Sequence, residues 1–133
     1  MITEDYVSFE IAKLLKEKGF DEPCGSYWEY FRSDVTLYQG YVPEYSNSLT
    51  NHNKDKGDSN VFSRPTHQMA LKWLREEKNI WCEITWEGGK NSWCFEAFNL
   101  KNEEYISDSI HHKINSYEEA VEVALKYTLE NLM

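Results

Sequence analysis

Apolar positions repeat at helical spacing in three stretches of the chain and alternate at strand spacing in four. Val7, Ile11, Leu14 and Leu15 share one side of a predicted first helix. Ser8 stands where an N-cap belongs. Gly19 and Phe20 follow as the left-handed residue and the apolar residue of a Schellman ending, with Phe20 folding back on Leu15. SYWEYF (Ser26 to Phe31) and VTLYQGY (Val35 to Tyr41) flank Arg32-Ser33-Asp34 and predict a hairpin. Met69, Ala70, Trp73 and Leu74 form the stripe of a second helix after Pro65, with Thr66 as its cap and Asn79 just past its end.

The second helix feeds directly into IWCEITWEGGKNSWCFEAFNL, a tryptophan-rich hairpin. With Gly88-Gly89 as a two-residue turn, Glu87 faces Lys90, Ile84 faces Trp93, Cys82 faces Phe95 and Ile80 faces Ala97. The last three pairs make one apolar face, closed off by Trp86 opposite Asn91. The other face carries Thr85 with Ser92, Glu83 with Cys94, and Trp81 with Glu96. A slip of one residue scrambles this partition, whereas a looser turn that shifts the register by two preserves it. The faces are therefore a firmer expectation than the pairs. A third helix opens on the capping box Ser116-Tyr117-Glu118-Glu119 and buries Ala120, Val121, Ala124, Leu125, Thr128 and Leu132.

The expected element order is α-β-β-α-β-β-α. Hairpins give antiparallel pairing, so the expectation is an α+β two-layer sandwich, a four-stranded antiparallel sheet with helices on one face. A length of 133 residues predicts a single domain, 1–133. Residues 44–63, EYSNSLTNHNKDKGDSNVFS, read as a long polar loop tethered at its end by Val61 and Phe62. Residues 101–115 read as a connector containing His111-His112.

Charge narrows the function classes. The chain has 23 acidic and 14 basic residues, a formal net charge of −9. Non-specific nucleic-acid binding needs a basic face, which is not evident here. An acidic surface that docks on a basic partner, or imitates DNA, fits the balance better. Three cysteines, Cys24, Cys82 and Cys94, suit a reducing compartment. The N-terminus lacks a basic, continuously apolar leader, and no stretch approaches the length of a membrane span, so the expected location is cytoplasmic.

Three stretches, YVSFEIAKLLKEKGFDEPC, RPTHQMALKWLREEKNIW and SYEEAVEVALKYTLENL, together resemble a group of small uncharacterised proteins of Bacteroides-type gut bacteria and their phages and prophages. The resemblance implies an accessory protein of a mobile element or its host. It carries over no functional residues.

Candidate chemistry is sparse. No cofactor is implied. Among the histidines only His111 and His112 are adjacent, and neighbours on a strand point to opposite faces, so no metal site is expected. The segment around Asp55 and Asp58 lacks the glycine and closing glutamate of a calcium loop. A small enzyme would use Cys94 with His67 or His111, but a carboxylate beside the thiol disfavours the thiolate. The surplus of aromatics is the stronger lead: five Trp, nine Tyr and six Phe. Alternation forces some of them off the core face, and exposed aromatic clusters mark contacts with partners. The candidate surface is an outer sheet face with Trp81, Trp28 and Tyr30, accompanied by Glu83 and Glu96. The expected mode of action is protein–protein contact, with a second copy of the chain among the candidate partners. An acidic inhibitor or DNA mimic is the alternative reading, and a small enzyme a further one.

Overall fold

In the computed structural model the chain runs α1 (Phe9–Glu17), β1 (Ser26–Phe31), β2 (Asp34–Gln39), β3 (Val61–Ser63), α2 (His67–Lys78), β4 (Ile80–Glu87), β5 (Ser92–Asn99), β6 (Glu104–Ser107) and α3 (Tyr117–Asn131). The structure describes residues 1–39, 49–53, 60–107 and 114–131. The α+β class and the antiparallel pairing are as expected. A single four-stranded sheet is not formed. The strands make two separate sheets, ordered β2-β1-β3 and β4-β5-β6, within two compact units, Met1–Thr66 and His67–Met133. One edge of each hairpin is taken by a short strand, β3 beside β1 and β6 beside β5, and the two hairpins are not joined to one another.

In the N-terminal unit, α1 has the caps its sequence predicts. The Ser8 hydroxyl accepts from the Ile11 N–H at 3.3 Å. At the other end Gly19 has φ of 93°, and the Phe20 N–H reaches the Leu15 carbonyl at 2.9 Å. Leu15 and Phe20 are both fully buried. The turn between β1 and β2 is two residues, Arg32 and Ser33, both at positive φ, which matches the twist a hairpin needs. β3 comes from the end of the stretch read as a loop. It places Phe62 opposite Trp28, and the Lys16 ammonium donates to the Val61 carbonyl at 2.7 Å. The Val61–Phe62 tether is thus a sheet strand. The other described part of that stretch is anchored too: Cys24 and Thr50 exchange backbone hydrogen bonds at 2.8 and 3.1 Å.

In the C-terminal unit, α3 packs on β5 and β4. Its N-cap is Ser116 as expected, with the Glu119 N–H donating to the Ser116 hydroxyl at 3.1 Å, while the Glu119 carboxylate reaches one residue past the cap and accepts from the Asn115 N–H at 3.1 Å. Ala120, Val121, Ala124, Leu125 and Thr128 are buried as the pattern predicts, and Leu129 joins them. The expected Leu132 lies outside the described residues. In α2, Trp73 and Leu74 are buried but Met69 is exposed. The expected connector contains β6, and His111-His112 lie outside the described residues.

The second hairpin keeps its faces and changes its register. Ile84 pairs with Phe95, Cys82 with Ala97, Trp86 with Trp93, Glu83 with Glu96, and Trp81 with Phe98. Every pair is displaced by two from the tight-turn expectation. The cause is the connection: Gly88–Lys90 form one turn of 3₁₀ helix and Asn91 takes the left-handed conformation, with φ of 51°. Glu87 and Lys90 still meet, at 3.6 Å.

Candidate functional site

The residues singled out from sequence fall into two groups. Trp28 and Tyr30 belong to the N-terminal unit, and Trp81, Glu83 and Glu96 to the C-terminal unit. No single outer face holds them all, because they lie on two different sheets.

Trp28 and Tyr30 point to the side of β1 that α1 covers, and not to an outer face. Phe9 of α1 meets Trp28 edge-on at 6.4 Å, stacks on Tyr30 at 6.2 Å and meets Phe62 edge-on at 5.3 Å. The Trp28 indole N–H donates to the Val7 carbonyl at 3.3 Å, and the Arg64 guanidinium lies between the Tyr6 ring at 4.1 Å and the Trp28 ring at 5.4 Å. Trp28 is thus part of a packed cluster. Tyr30 retains 42% of its surface at the margin of that cluster. Burial holds the Arg64 guanidinium below its usual range, with the Tyr6 phenol opposing that effect.

Trp81 is 39% exposed on β4. Its alternation partners on the same face are Glu83 and Thr85, both exposed. On β5 the same face carries Glu96 directly opposite Glu83. Two carboxylates in directly opposed positions are a destabilising arrangement unless a cation lies between them. The face is not open throughout: Ser92 and Cys94 on β5 are buried. The two tryptophans of the apolar face, Trp86 and Trp93, also divide. Trp93 is half-buried against the Tyr117 ring at 5.5 Å, whereas Trp86, next to the Gly88–Lys90 turn, is 46% exposed. Position along the hairpin, and not face alone, decides its exposure.

Beside Trp81 the structure has a groove of about 270 Å³, lined by Gln68, Leu71, Arg75, Trp81, Cys82, Glu83, Ile84 and Tyr117. One wall is α2. Gln68, Leu71 and Arg75 are spaced by three and then four residues, which puts them on one helical face. The opposite wall is β4, an edge strand in the order β4-β5-β6. The Arg75 guanidinium sits 5.6 Å over the Trp81 ring and meets Glu76 at 3.4 Å. Sequence reading reached Trp81 and Glu83 through strand alternation. It missed Gln68, Leu71 and Arg75, which lie off the apolar stripe of Met69, Ala70, Trp73 and Leu74 by which the helix is recognised.

Among the described residues the remaining candidates do not assemble into a catalytic set. The His67 imidazole is buried at the start of α2 and pairs with the Glu122 carboxylate at 2.9 Å. Cys94 is buried and sits opposite Thr85, not Glu83. Burial pushes the Cys24 thiol up to about 12 and also raises Cys82, whose sulfur lies 3.5 Å from the Thr128 hydroxyl. Both shifts disfavour the thiolate a nucleophile needs. Among the described residues no three His, Cys, Asp or Glu side chains converge as a metal ion would require, and no helix is long and apolar enough to cross a membrane. His111, Asp55 and Asp58 lie outside the described residues.

Comparison with protein-family models, with curated proteins and with solved structures finds no match to this chain.

Proposed function

We propose that this chain is an accessory protein that works by protein–protein contact, and that the contact surface is the Trp81, Glu83 and Glu96 face of the C-terminal unit with its adjoining groove. The accessory role, in a phage, a prophage or their host, follows from the resemblance of the three sequence segments. The contact surface follows from one observation: an exposed tryptophan with an arginine over its ring borders a groove that also receives Glu83, which stands opposite Glu96 across the sheet. Tryptophan and arginine dominate the residues that carry binding energy at interfaces. A partner cation between Glu83 and Glu96 would turn an unfavourable pair into a favourable triad. The partner is therefore a protein presenting basic and apolar side chains.

Imitation of DNA fits this face less well. It needs a row of carboxylates, whereas Glu83 and Glu96 form one pair among Trp81, Thr85 and Phe98, and Glu87 is engaged by Lys90. Capture from a lysate of the source cells tests the reading. Trp81→Ala and Glu83→Lys are expected to lose the principal partner while keeping the wild-type far-ultraviolet circular dichroism. Retention of every partner by both variants contradicts it.

A further inference from the structure

The groove beside Trp81 has a property that side chains alone do not provide. It runs along an edge strand whose outward main-chain groups have no partner among the described residues. The direction of those groups follows from one hydrogen bond. The Leu100 N–H donates to the Asn79 carbonyl at 2.8 Å, so Asn79 faces β5. Successive residues of a strand send their N–H and C=O groups to opposite sides. Trp81, Glu83, Thr85 and Glu87 therefore pair with β5, and Ile80, Cys82, Ile84 and Trp86 present their N–H and C=O groups to the free edge. The opposite edge of β5 agrees: the Trp93 N–H donates outward to the Ile114 carbonyl at 3.0 Å. Cys82 and Ile84, the central two of the free set, both line the groove. No hydrogen bond among the described residues occupies their outward main-chain groups.

Natural edge strands are blunted by charged side chains, above all lysine, by proline, by a bulge or by a covering element. β4, IWCEITWE, has no lysine or proline and its register against β5 is continuous; its charges, Glu83 and Glu87, are acidic and repel an acidic strand but not a basic one. The groove between this edge and α2 has the form of a strand-addition site, in which a peptide pairs with the edge while a helix forms the far wall. Its volume, about 270 Å³, falls below the roughly 300–1,000 Å³ typical of a pocket that encloses a small ligand. It suits one portion of a longer chain better than a whole small molecule.

We infer that the β4 edge takes up an extended segment of a partner protein by strand addition, pairing with the main chain of Cys82 and Ile84. This rests on the proposed protein-contact function and names its mode. The charge of the site sets the chemistry of the segment. A strand added to β4 continues both faces of the sheet. Its residues on the Glu83–Glu96 face meet the Glu83 carboxylate, with Glu96 one strand further in, while Arg75 across the groove is engaged by Glu76 and Trp81; they are basic. Its alternate residues lie on the face of Ile80, Cys82 and Ile84 and are apolar. The occupant is thus an extended segment alternating lysine or arginine with apolar β-branched residues.

The test uses the full chain, isotopically labelled, and a synthetic peptide alternating lysine and valine. The expected result is binding with slowed exchange of the Cys82 and Ile84 amide protons. A peptide N-methylated at alternate positions on the edge-facing side loses its donors and is expected to bind about tenfold more weakly. A peptide with glutamate in place of lysine is expected to bind more weakly still. Glu83→Lys, an exposed substitution that leaves the core intact, is expected to reverse the preference between the lysine and glutamate peptides. Absence of binding by the lysine peptide, equal binding of the N-methylated peptide, or binding without protection at Cys82 and Ile84 overturns strand addition. Those outcomes leave the protein-contact reading standing if Trp81→Ala still abolishes partner capture. If Trp81→Ala has no effect on capture, the contact reading fails on its own account.

Discussion

At the scale of single residues, side-chain placement was legible where one local rule acts alone. Ser8, Gly19 and Ser116 are caps, and each performs the hydrogen bonding or backbone conformation its type and position predict. Trp28 shows where the rule stops. Alternation places it on one face of β1, but which face α1 covers is decided by Phe9 and Val7, residues remote in sequence. Glu83 was expected opposite Cys94 and lies opposite Glu96, which turns a thiol–carboxylate pair into a like-charge pair. Relieving it is expected to stabilise the isolated protein: Glu83→Gln should raise the unfolding free energy by about 0.2–1 kcal/mol, measured by urea denaturation. No gain would mean that the pair is already relieved within the chain. Cys24 makes a second prediction. Its thiol is raised from 9.0 to about 12, chiefly by burial, so the folded state holds the proton that the unfolded state gives up. That contribution is complete below pH 9 and is lost as pH rises from about 9 through about 12. Stability is expected to fall over that window with a slope approaching about 1.4 kcal/mol per pH unit from this group, and Cys24→Ala is expected to flatten the decline.

At the scale of elements, the helices and the two hairpins were readable because each carries a full period of apolar positions and its own stop signals. The strands β3 and β6 were not. β3 has three residues inside a polar stretch and β6 has four after a turn, too short for alternation to register. Both are strands because a neighbouring hairpin offers an open edge, and that is a property of the sheet, not of the segment. The same competition set the β4–β5 register. Two consecutive glycines fit a two-residue turn, yet Asn91 in the left-handed conformation supports a longer connection, and the apolar faces tolerate a shift of two because they are invariant to it. Caps at this scale are quantifiable. Ser116→Ala removes the acceptor for the Glu119 N–H and is expected to cost about 1 kcal/mol of stability, seen as a lowered urea midpoint with an unchanged slope. A neutral result would assign the start of α3 to its packing on β5.

At the scale of the whole molecule, the sequence led to an α+β class and antiparallel pairing but to the wrong assembly, one sheet in place of two. The element that redirected it, β3, lies at the end of the stretch that looked least structured. The consequence for function is direct: aromatic residues expected on one shared surface belong to two units, and the candidate site contracts to Trp81, Glu83, Glu96 and the α2 wall of the groove. A net charge of −9 gives this site a further signature. A basic partner is drawn in by the whole molecule as well as by the pair of glutamates, so its association rate and affinity are expected to fall with rising salt over a range in which the Debye length shrinks from about 30 to about 10 Å. A partner held by apolar contact alone would show little change.

The central claim is that the partner meets the C-terminal unit at Trp81. The most direct measurement is quantitative capture of the principal partner by the wild-type chain, by Trp81→Ala, and by Phe31→Ser, which alters an aromatic residue of the N-terminal unit that is 57% exposed. Trp81→Ala is expected to reduce capture at least about tenfold, as loss of an interface hot spot does, and Phe31→Ser to leave it unchanged. Capture lost with Phe31→Ser and kept with Trp81→Ala would contradict it.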